Sequence, residues 1–178
     1  MKELDVRDLT LIAMAAALCA VCSWISVPIL AVPFTLQTFA VELTLFCLGG
    51  KRGFLAVLVY LLLGMIGLPV FSGFNGGAGY LLGPTGGFLL GFLATALVWC
   101  VAEKHARRGI SRLLWMTAAV AVCYVFGTVW FYLFRGQAAG MSLGAVLSVT
   151  VVPFLLPDAG KLLLASLVSE RVRKAVRI

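Results

Sequence analysis

The chain has 178 residues, of which 62% are hydrophobic and only 12% are charged. Because a soluble domain carries about 25% charged residues, this composition excludes an ordinary soluble protein and predicts one all-α domain, residues 1–178, embedded in a lipid bilayer. The net charge is +7, but the basic residues are scattered over separate segments without interleaved aromatic side chains, which excludes a nucleic-acid-binding surface.

Charges, prolines and glycines bound the apolar segments, and the polar start MKELDVRD is unlike a cleavable signal peptide. The segment 142–157 contains Pro153 and Pro157 and is either a short outer helix or a broken span. In chain order, the pattern predicts six transmembrane helices, at about 9–26, 34–48, 54–68, 86–102 and 113–134, with a last helix that begins near Ser142 or Pro157 and ends near Val168.

The basic residues predict the orientation, because Lys and Arg favour the cytoplasmic side of a membrane. Six spans put both termini on the cytoplasmic side with the loops at 49–53 and 103–112, while the loops at 27–34, 69–85 and 135–141 face outward. The glycine-rich outer loop then joins helices 3 and 4. Of the fourteen basic residues, Arg135 lies outside and Lys161 within a span, and the others lie inside: Lys2, Arg7, Lys51, Arg52, Lys104, Arg107, Arg108, Arg112, Arg171, Arg173, Lys174 and Arg177.

The outer segment GFNGGAGYLLGPTGG at 73–87 holds seven glycines and one proline but no charge. A phosphate-binding loop is excluded, because no Lys with a hydroxyl residue follows the glycines and no strand is predicted before them. Glycines such as Gly73 let backbone N–H groups approach a ligand closely. The aromatic residues Phe71, Phe74 and Tyr80 favour a lid over a cavity rather than a plain flexible turn.

Three ionisable residues, Glu42, Asp158 and Lys161, fall within predicted spans, where each charge costs roughly 2.5–3.5 kcal/mol. Asp158 and Lys161 are three residues apart on one helical face and can pair. Pro157 places Asp158 near a predicted helix start, where the helix dipole favours an anion. The pair either forms a ligand site under the lid or only packs helices together. Glu42 is interpreted as a packing or snorkelling residue without a functional role.

Other polar residues have two interpretations each. Thr35 and Gln37 follow Pro33 at the start of the second helix, where they either cap the helix or line a polar pocket. Asn75 is either a turn residue or an amide of that pocket. The five cysteines lack the second pair that a metal site needs and are interpreted as packing residues, and no catalytic constellation is present. We therefore expect no metal, no cofactor and no enzymatic activity.

Small residues recur on the first helix. Ala13, Ala16, Ala17 and Ala20 are spaced three and four apart, and small residues at this spacing let two helices approach closely within lipid. The spacing Ala13-x-x-x-Ala17 indicates either a docking face for another membrane subunit or internal packing.

Four motifs, in this order along the chain, resemble the BioY family: VPFTLQTFAV at 32–41, GLPVFSGFNGG at 67–77, GPTGG at 83–87 and PDAGK at 157–161. BioY proteins are the biotin-specific S-components of energy-coupling factor (ECF) vitamin transporters, and the resemblance spans the chain. The sequence departs from the family at Phe74, where a second glycine often precedes the Asn or Ser.

The resemblance implies a six-helix protein of a prokaryotic cell membrane that binds biotin near its outer face. It also implies docking of the first helix, at Ala13 and Ala17, onto a transmembrane coupling subunit that works with ABC-type ATPases. The family's biotin-contacting Asn, Asp and Lys correspond to Asn75, Asp158 and Lys161. The residues that would complete the site are Phe71, Gly73, Phe74 and Tyr80 of the lid, and Thr35 and Gln37.

Three alternatives remain open at this point: an S-component for another vitamin, a stand-alone facilitator and an intramembrane enzyme. A facilitator needs a polar path through both membrane halves, whereas the inner halves of the spans, apart from Glu42, are apolar. An enzyme that pairs His105 with Asp158 is disfavoured, because these two residues lie on opposite sides of the predicted membrane.

Overall fold

The structure is a computed structural model, and it describes residues 5–28, 32–106 and 109–176. The predicted all-α class is confirmed, because helices make up most of the described chain and two two-residue strands, β1 (Ser26–Val27) and β2 (Phe34–Thr35), form its one antiparallel ladder. The basic residues Lys2, Arg107, Arg108 and Arg177 lie outside the described residues. The helices are α1 (Val6–Trp24), α2 (Gln37–Met65), α3 (Ala78–Leu81), α4 (Gly86–Ala102), α5 (Ile110–Phe131), α6 (Leu143–Thr150) and α7 (Val152–Val176).

The long helix α2 folds back on itself at Gly49. This glycine has φ +77° and ψ −179°, which breaks the helical path. The Gln37 amide nitrogen lies 2.7 Å from the Tyr60 hydroxyl, although a straight helix would separate these two residues by about 34 Å. The helix therefore consists of two antiparallel legs, 37–48 and 50–65, which occupy the positions of the second and third predicted spans.

Four segments of the chain meet at one end of the bundle. Arg52, in the turn of α2, pairs with Asp8 of α1 at 3.2 Å. The Glu103 carboxylate, after α4, accepts a hydrogen bond of 2.5 Å from a backbone N–H of the same turn. The Arg7 guanidinium donates to the carbonyl of Val176 at the end of α7. The charge pattern requires these segments to share one end. We call this the inner end, because the predicted topology places it on the cytoplasmic side. That topology and the count of six spans stay predictions.

The two legs of α2 pack against α1, α4 and α7, and α4 packs against α5. Close approach depends on small residues: a Cβ on Gly50 would lie 2.4 Å from the Cα of Cys100. On α1, Ala16 and Ala20 are buried, whereas Ala13 and Ala17 are exposed. Four described helical segments are long and apolar enough to cross a membrane, and α4 is an apolar helix of 17 residues.

The segment before the last helix forms the short helix α6, which only Val151 separates from α7, so the apolar helical segment Leu143–Val176 is broken at that residue. The last helix begins at Val152, because Pro153 lies in its first turn, where a missing N–H is tolerated. Pro157 therefore lies inside α7, and Asp158 lies six residues after the helix start. The prediction that the helix dipole stabilises Asp158 is thus wrong, because the dipole acts only within the first turn.

Candidate ligand-binding site

A cavity of about 810 Å³, counting its open mouth, lies between the first leg of α2 and helices α4, α5 and α7. Helical spacing brings the lining residues to one face of each helix. They are Gln37, Thr38, Val41 and Glu42 of α2; Phe88, Leu89, Phe92 and Thr95 of α4; Val120, Cys123 and Tyr124 of α5; Phe154, Asp158 and Lys161 of α7; and Val32, Pro33, Thr35, Ser72, Tyr80, Thr85 and Thr150 around the mouth.

An ion pair lies in the wall of the cavity. The Lys161 ammonium donates to Asp158 Oδ1 at 2.7 Å and to the backbone carbonyl of Thr35 at 2.6 Å. It also lies 4.1 Å from the centre of the Phe34 ring, which is a cation–π distance. Both partners are at most 9% exposed. These contacts satisfy the buried ammonium within the protein, and they hold the carboxylate at the cavity surface.

Tyr124 completes the environment of this carboxylate. Its hydroxyl donates to Asp158 Oδ2, so each carboxylate oxygen has one partner within the protein. A carboxylate offers about four lone-pair sites, and those that remain can accept N–H groups from a ligand. The sequence reasoning missed Tyr124, although a phenolic hydroxyl in the middle of an apolar helix is itself a sign of a buried polar partner.

Glu42 lies in the same wall and is 1% exposed. The interpretation of Glu42 as a snorkelling residue is wrong, because a snorkelling side chain brings its charge to water. Its Oε2 atom has no hydrogen-bond partner among the described residues. The sequence contained a signal for this position, since Glu42 follows Thr38 by four residues and so shares its helical face.

The start of α2 combines both roles that the sequence left open. The Thr35 side chain accepts from the backbone N–H of Gln37 at 3.2 Å, which is a helix-start contact, and the Thr35 carbonyl holds Lys161. The Gln37 amide donates to the Tyr60 hydroxyl, and this hydroxyl donates to the carbonyl of Val70 at 3.1 Å. Both Thr35 and Gln37 also line the cavity.

The glycine-rich segment is packed onto the bundle by Phe71. This ring is fully buried and lies 5.6 Å from the ring of Tyr60 and 5.4 Å from that of Tyr80, measured between centroids. Gly64 leaves the space for it, because a Cβ there would lie 2.0 Å from a Phe71 ring carbon. Tyr80 and Ser72 line the cavity, so Phe71 supports the cavity wall from behind.

The remaining lid residues point to other surroundings. Phe74 is 63% exposed and stacks on Trp24 at 5.1 Å. The Asn75 amide donates to the carbonyl of Ser72 at 2.7 Å, within a tight turn in which Gly73 has φ +70°. The structure thus brings five of the sequence-predicted residues to the cavity: Thr35, Gln37, Tyr80, Asp158 and Lys161. It places the other four behind or beside it: Phe71, Gly73, Phe74 and Asn75.

Apolar and charged side chains line different parts of the cavity. Apolar side chains, among them Phe88 and Phe92 of α4, Phe154 of α7 and Tyr80 of the lid, form most of the surface, whereas the carboxylate, the ammonium and the carboxyl of Glu42 lie between α2 and α7. Such a site suits a small molecule with an apolar body and a hydrogen-bonding edge. Among the described residues, no cluster of His, Cys, Asp and Glu side chains could hold a metal ion.

Known proteins match the chain over its whole length. The BioY family matches residues 1–178. A probable biotin transporter BioY of Pyrococcus horikoshii is 38% identical over 167 residues, and the biotin transporter BioY of Thermotoga maritima is 40% identical over 170 residues. Each match covers 94% of this chain and 96% of the relative.

Two solved structures share the fold. The crystal structure of the S-component for biotin from an ECF-type ABC transporter superposes with a TM-score of 0.83 at 29% identity, covering 95% of this chain and 92% of that one. The S component of another bacterial ECF transporter has a TM-score of 0.61 at 20% identity, covering 96% and 95%, and shows the fold alone. Sequence and fold therefore agree that the chain belongs to the BioY family.

Proposed function

We propose that the protein binds biotin at the outer face of a prokaryotic plasma membrane, as the substrate-capturing S-component of an ECF-type transporter. The proposal rests on one observation above all: a buried carboxylate, held by Lys161 and Tyr124, faces a largely apolar cavity between four helical segments. The relatives named as biotin transporters and the related structure of an S-component for biotin support the choice of ligand.

Biotin has a hydrogen-bonding ureido ring and an apolar thiophane ring, which match the charged and apolar parts of the cavity wall. Its ureido ring presents two N–H donors and one carbonyl acceptor, and the Asp158 carboxylate is the acceptor placed to receive an N–H group. The apolar thiophane ring would lie against the aromatic wall, where Tyr80 and Phe154 contribute ring surface. Asn75 stays a proposed contact, and its amide would have to leave the carbonyl of Ser72 to reach the ligand.

Nanomolar affinity for biotin would require the lid to close over the bound ligand. Nanomolar binding corresponds to about −12 kcal/mol, which is a demanding value for a ligand of this size and calls for a dry, closely fitted site. The cavity is open at its mouth. We therefore propose that the glycine-rich segment closes over bound biotin and reopens for its release.

Energy for transport would come from partner subunits. The neighbouring structures are S-components of ECF-type transporters, and we propose that this chain likewise works with a transmembrane coupling subunit and ABC-type ATPases, without an ATPase of its own. The docking face would be the exposed side of α1 at Ala13 and Ala17, because these small residues face away from the bundle.

The test is calorimetric titration of the detergent-purified protein with biotin, dethiobiotin, riboflavin and thiamine. We expect tight 1:1 binding of biotin without ATP, and weaker or no binding of the two unrelated vitamins. Tighter binding of riboflavin or thiamine would assign the protein to another vitamin. Biotin uptake by liposomes that contain only this protein would favour the stand-alone facilitator instead.

A further inference from the structure

Glu42 is a buried polar group whose presence the fold itself does not explain. Its side chain is 1% exposed, and Oε2 makes no hydrogen bond within the described residues 5–28, 32–106 and 109–176. Buried polar atoms are paired in the great majority of cases, because an unpaired one has lost its contacts with water. The exceptions call for a partner that binds later or for a functional reason. Thr44 Oγ1 is the other such atom among the described residues, but Thr44 does not line the cavity, whereas Glu42 does.

The ammonium of Lys161, which lies in the same cavity wall as Glu42, already has other partners. The cavity wall holds two carboxyl side chains, Glu42 and Asp158, but only one ammonium, that of Lys161. Lys161 donates to Asp158 and to the Thr35 carbonyl and lies over the Phe34 ring. Asp158 is therefore the carboxylate with a counter-ion and a hydroxyl donor, whereas the Glu42 carboxyl keeps an unused oxygen.

The position of Glu42 completes the argument. Glu42 lies on the first leg of α2 and Asp158 on α7, and these two helices pack against each other along the cavity. A ligand that enters between them lies beside one carboxyl side chain from each helix. The Oε2 atom of Glu42 has less than 1 Å² of accessible surface, so the Glu42 side chain must turn toward the cavity to reach the ligand. The ureido ring of biotin has two N–H groups, one on each side of its carbonyl, and so requires two acceptors.

We propose that Glu42 is a ligand-binding residue whose Oε2 accepts a hydrogen bond from one ureido N–H of biotin, while Asp158 accepts from the other. This inference deepens the proposed function and rests on it. It also explains why an unpaired carboxyl is retained in the apolar interior: binding supplies the partner that the unliganded protein lacks. The second acceptor makes the site selective for cyclic ureas over rings with a single N–H donor.

The first experiment compares Glu42→Leu with Glu42→Gln by biotin titration and thermal unfolding. Leu removes the acceptor, so affinity should fall by about 10- to 100-fold, while Gln keeps an oxygen and should stay within about fivefold of the wild type. Unlike a structural residue, Glu42→Leu should leave the unliganded protein equally or more thermostable, because an unpaired buried polar group has gone. Thr44→Val is the matched control: it alters a buried polar residue of the same leg outside the cavity, and biotin affinity should not change.

The second experiment identifies the contacted atom with biotin derivatives methylated on one or the other ureido nitrogen. For the N–H that Glu42 binds, methylation should weaken wild-type binding much more than it weakens binding to Glu42→Leu. Equal losses in both proteins for both derivatives would overturn the proposed contact. If Glu42→Leu does not fold, Glu42→Met is judged by the same criteria.

The failures of the two proposals are distinguishable. If wild-type protein binds biotin and Glu42→Leu binds it within about threefold, the role of Glu42 is refuted while biotin binding stands. The same holds if the variant loses thermal stability together with affinity, since Glu42 would then be structural. If wild-type protein does not bind biotin, the proposed function itself is wrong.

Discussion

The two halves of the helix bundle are built in opposite ways. The outer half surrounds a cavity and buries an ion pair, a tyrosine hydroxyl and an additional carboxyl in its walls. The inner half is filled: the rings of Phe46 and Trp99 meet edge to face at 5.3 Å, and Met116 is completely buried. Polar groups there bind backbone, as when the Arg112 guanidinium donates to the Phe46 carbonyl at 2.7 Å.

This difference indicates that the outer half can bind a ligand, whereas the inner half offers no route for its transport. Biotin bound in the outer cavity would meet the closely packed apolar side chains of the inner half rather than a polar path to the inner end. The protein alone is thus suited to holding a ligand, and passage would need a rearrangement that a partner subunit drives. The contrast argues against the stand-alone facilitator, which needs a route through both halves.

The largest expected effect comes from breaking the ion pair of the outer half. Asp158→Ala leaves the Lys161 ammonium buried without its counter-ion, so we expect a loss of biotin affinity of more than about 100-fold and of about 3–5 kcal/mol in the free energy of unfolding. Titration and thermal unfolding measure the two effects. The double variant Asp158→Leu/Lys161→Met should regain stability without regaining binding. Recovery of binding in that double variant would contradict a ligand role for the pair.

The next effect lies in the inner half and should be confined to stability. Trp99→Ala removes a 3%-exposed side chain whose indole donates to the Leu45 carbonyl at 3.1 Å, and we expect a cost of about 3–5 kcal/mol. Biotin affinity of the folded protein should stay within about threefold of the wild type. Trp115→Ala, at a 40%-exposed position, is the matched control with a cost below about 1 kcal/mol. A large loss of affinity in Trp99→Ala would show that the halves are not separate.

A smaller effect is expected where the lid rests on the bundle. Gly64→Ala would place a Cβ 2.0 Å from the Phe71 ring, so this ring and the adjacent Tyr80 must shift. We expect a loss of about 1–3 kcal/mol in stability and about tenfold weaker biotin binding. Gly79→Ala is the control, because a Cβ there meets nothing within 4 Å. Equal affinities for the two variants would refute the supporting role of Phe71.

The smallest effect concerns Phe74, in the tight turn of the glycine-rich segment. Its φ of +59° lies in the left-handed region, which glycine adopts readily. Both Phe74→Ala and Phe74→Gly remove the stacking on Trp24, but only Gly relieves the backbone, so Gly should be the more stable variant by about 1 kcal/mol. Thermal unfolding of the pair measures this difference. An alanine variant that is the more stable would contradict the strained turn.

Much of this architecture could be read from the sequence, because the lipid environment imposes strong patterns. Apolar segments, turn residues and basic clusters predicted the membrane class, and the three-residue spacing predicted the Asp158–Lys161 pair. The turn at Gly49 was also visible, although the structure makes it a sharp hairpin within one helix. For the last helix the sequence offers two starts, Ser142 and Pro157. The structure places Ser142 at the start of α6 and Pro157 inside α7, which begins at Val152 with Pro153 in its first turn.

The cavity wall was harder to predict. Glu42 and Tyr124 face the cavity because α2 and α5 are rotated toward α7, and that rotation depends on packing between helices distant in sequence. The positions of Phe74 and Asn75 depend on the turn geometry of the lid, which glycine content alone does not determine. Helical spacing could have placed Glu42 beside Thr38, but nothing local in the sequence indicates that the Oε2 atom of Glu42 lacks a partner.

The most direct test of the central claim is an experimental structure of the protein with bound biotin. We expect the ureido ring to lie between the first leg of α2 and α7. One of its N–H groups should be within hydrogen-bonding distance of Asp158 and the other within that distance of Glu42. The glycine-rich segment should close over the thiophane ring. Biotin bound outside this cavity, or bound inside it with its ureido ring turned away from Asp158, would contradict the account.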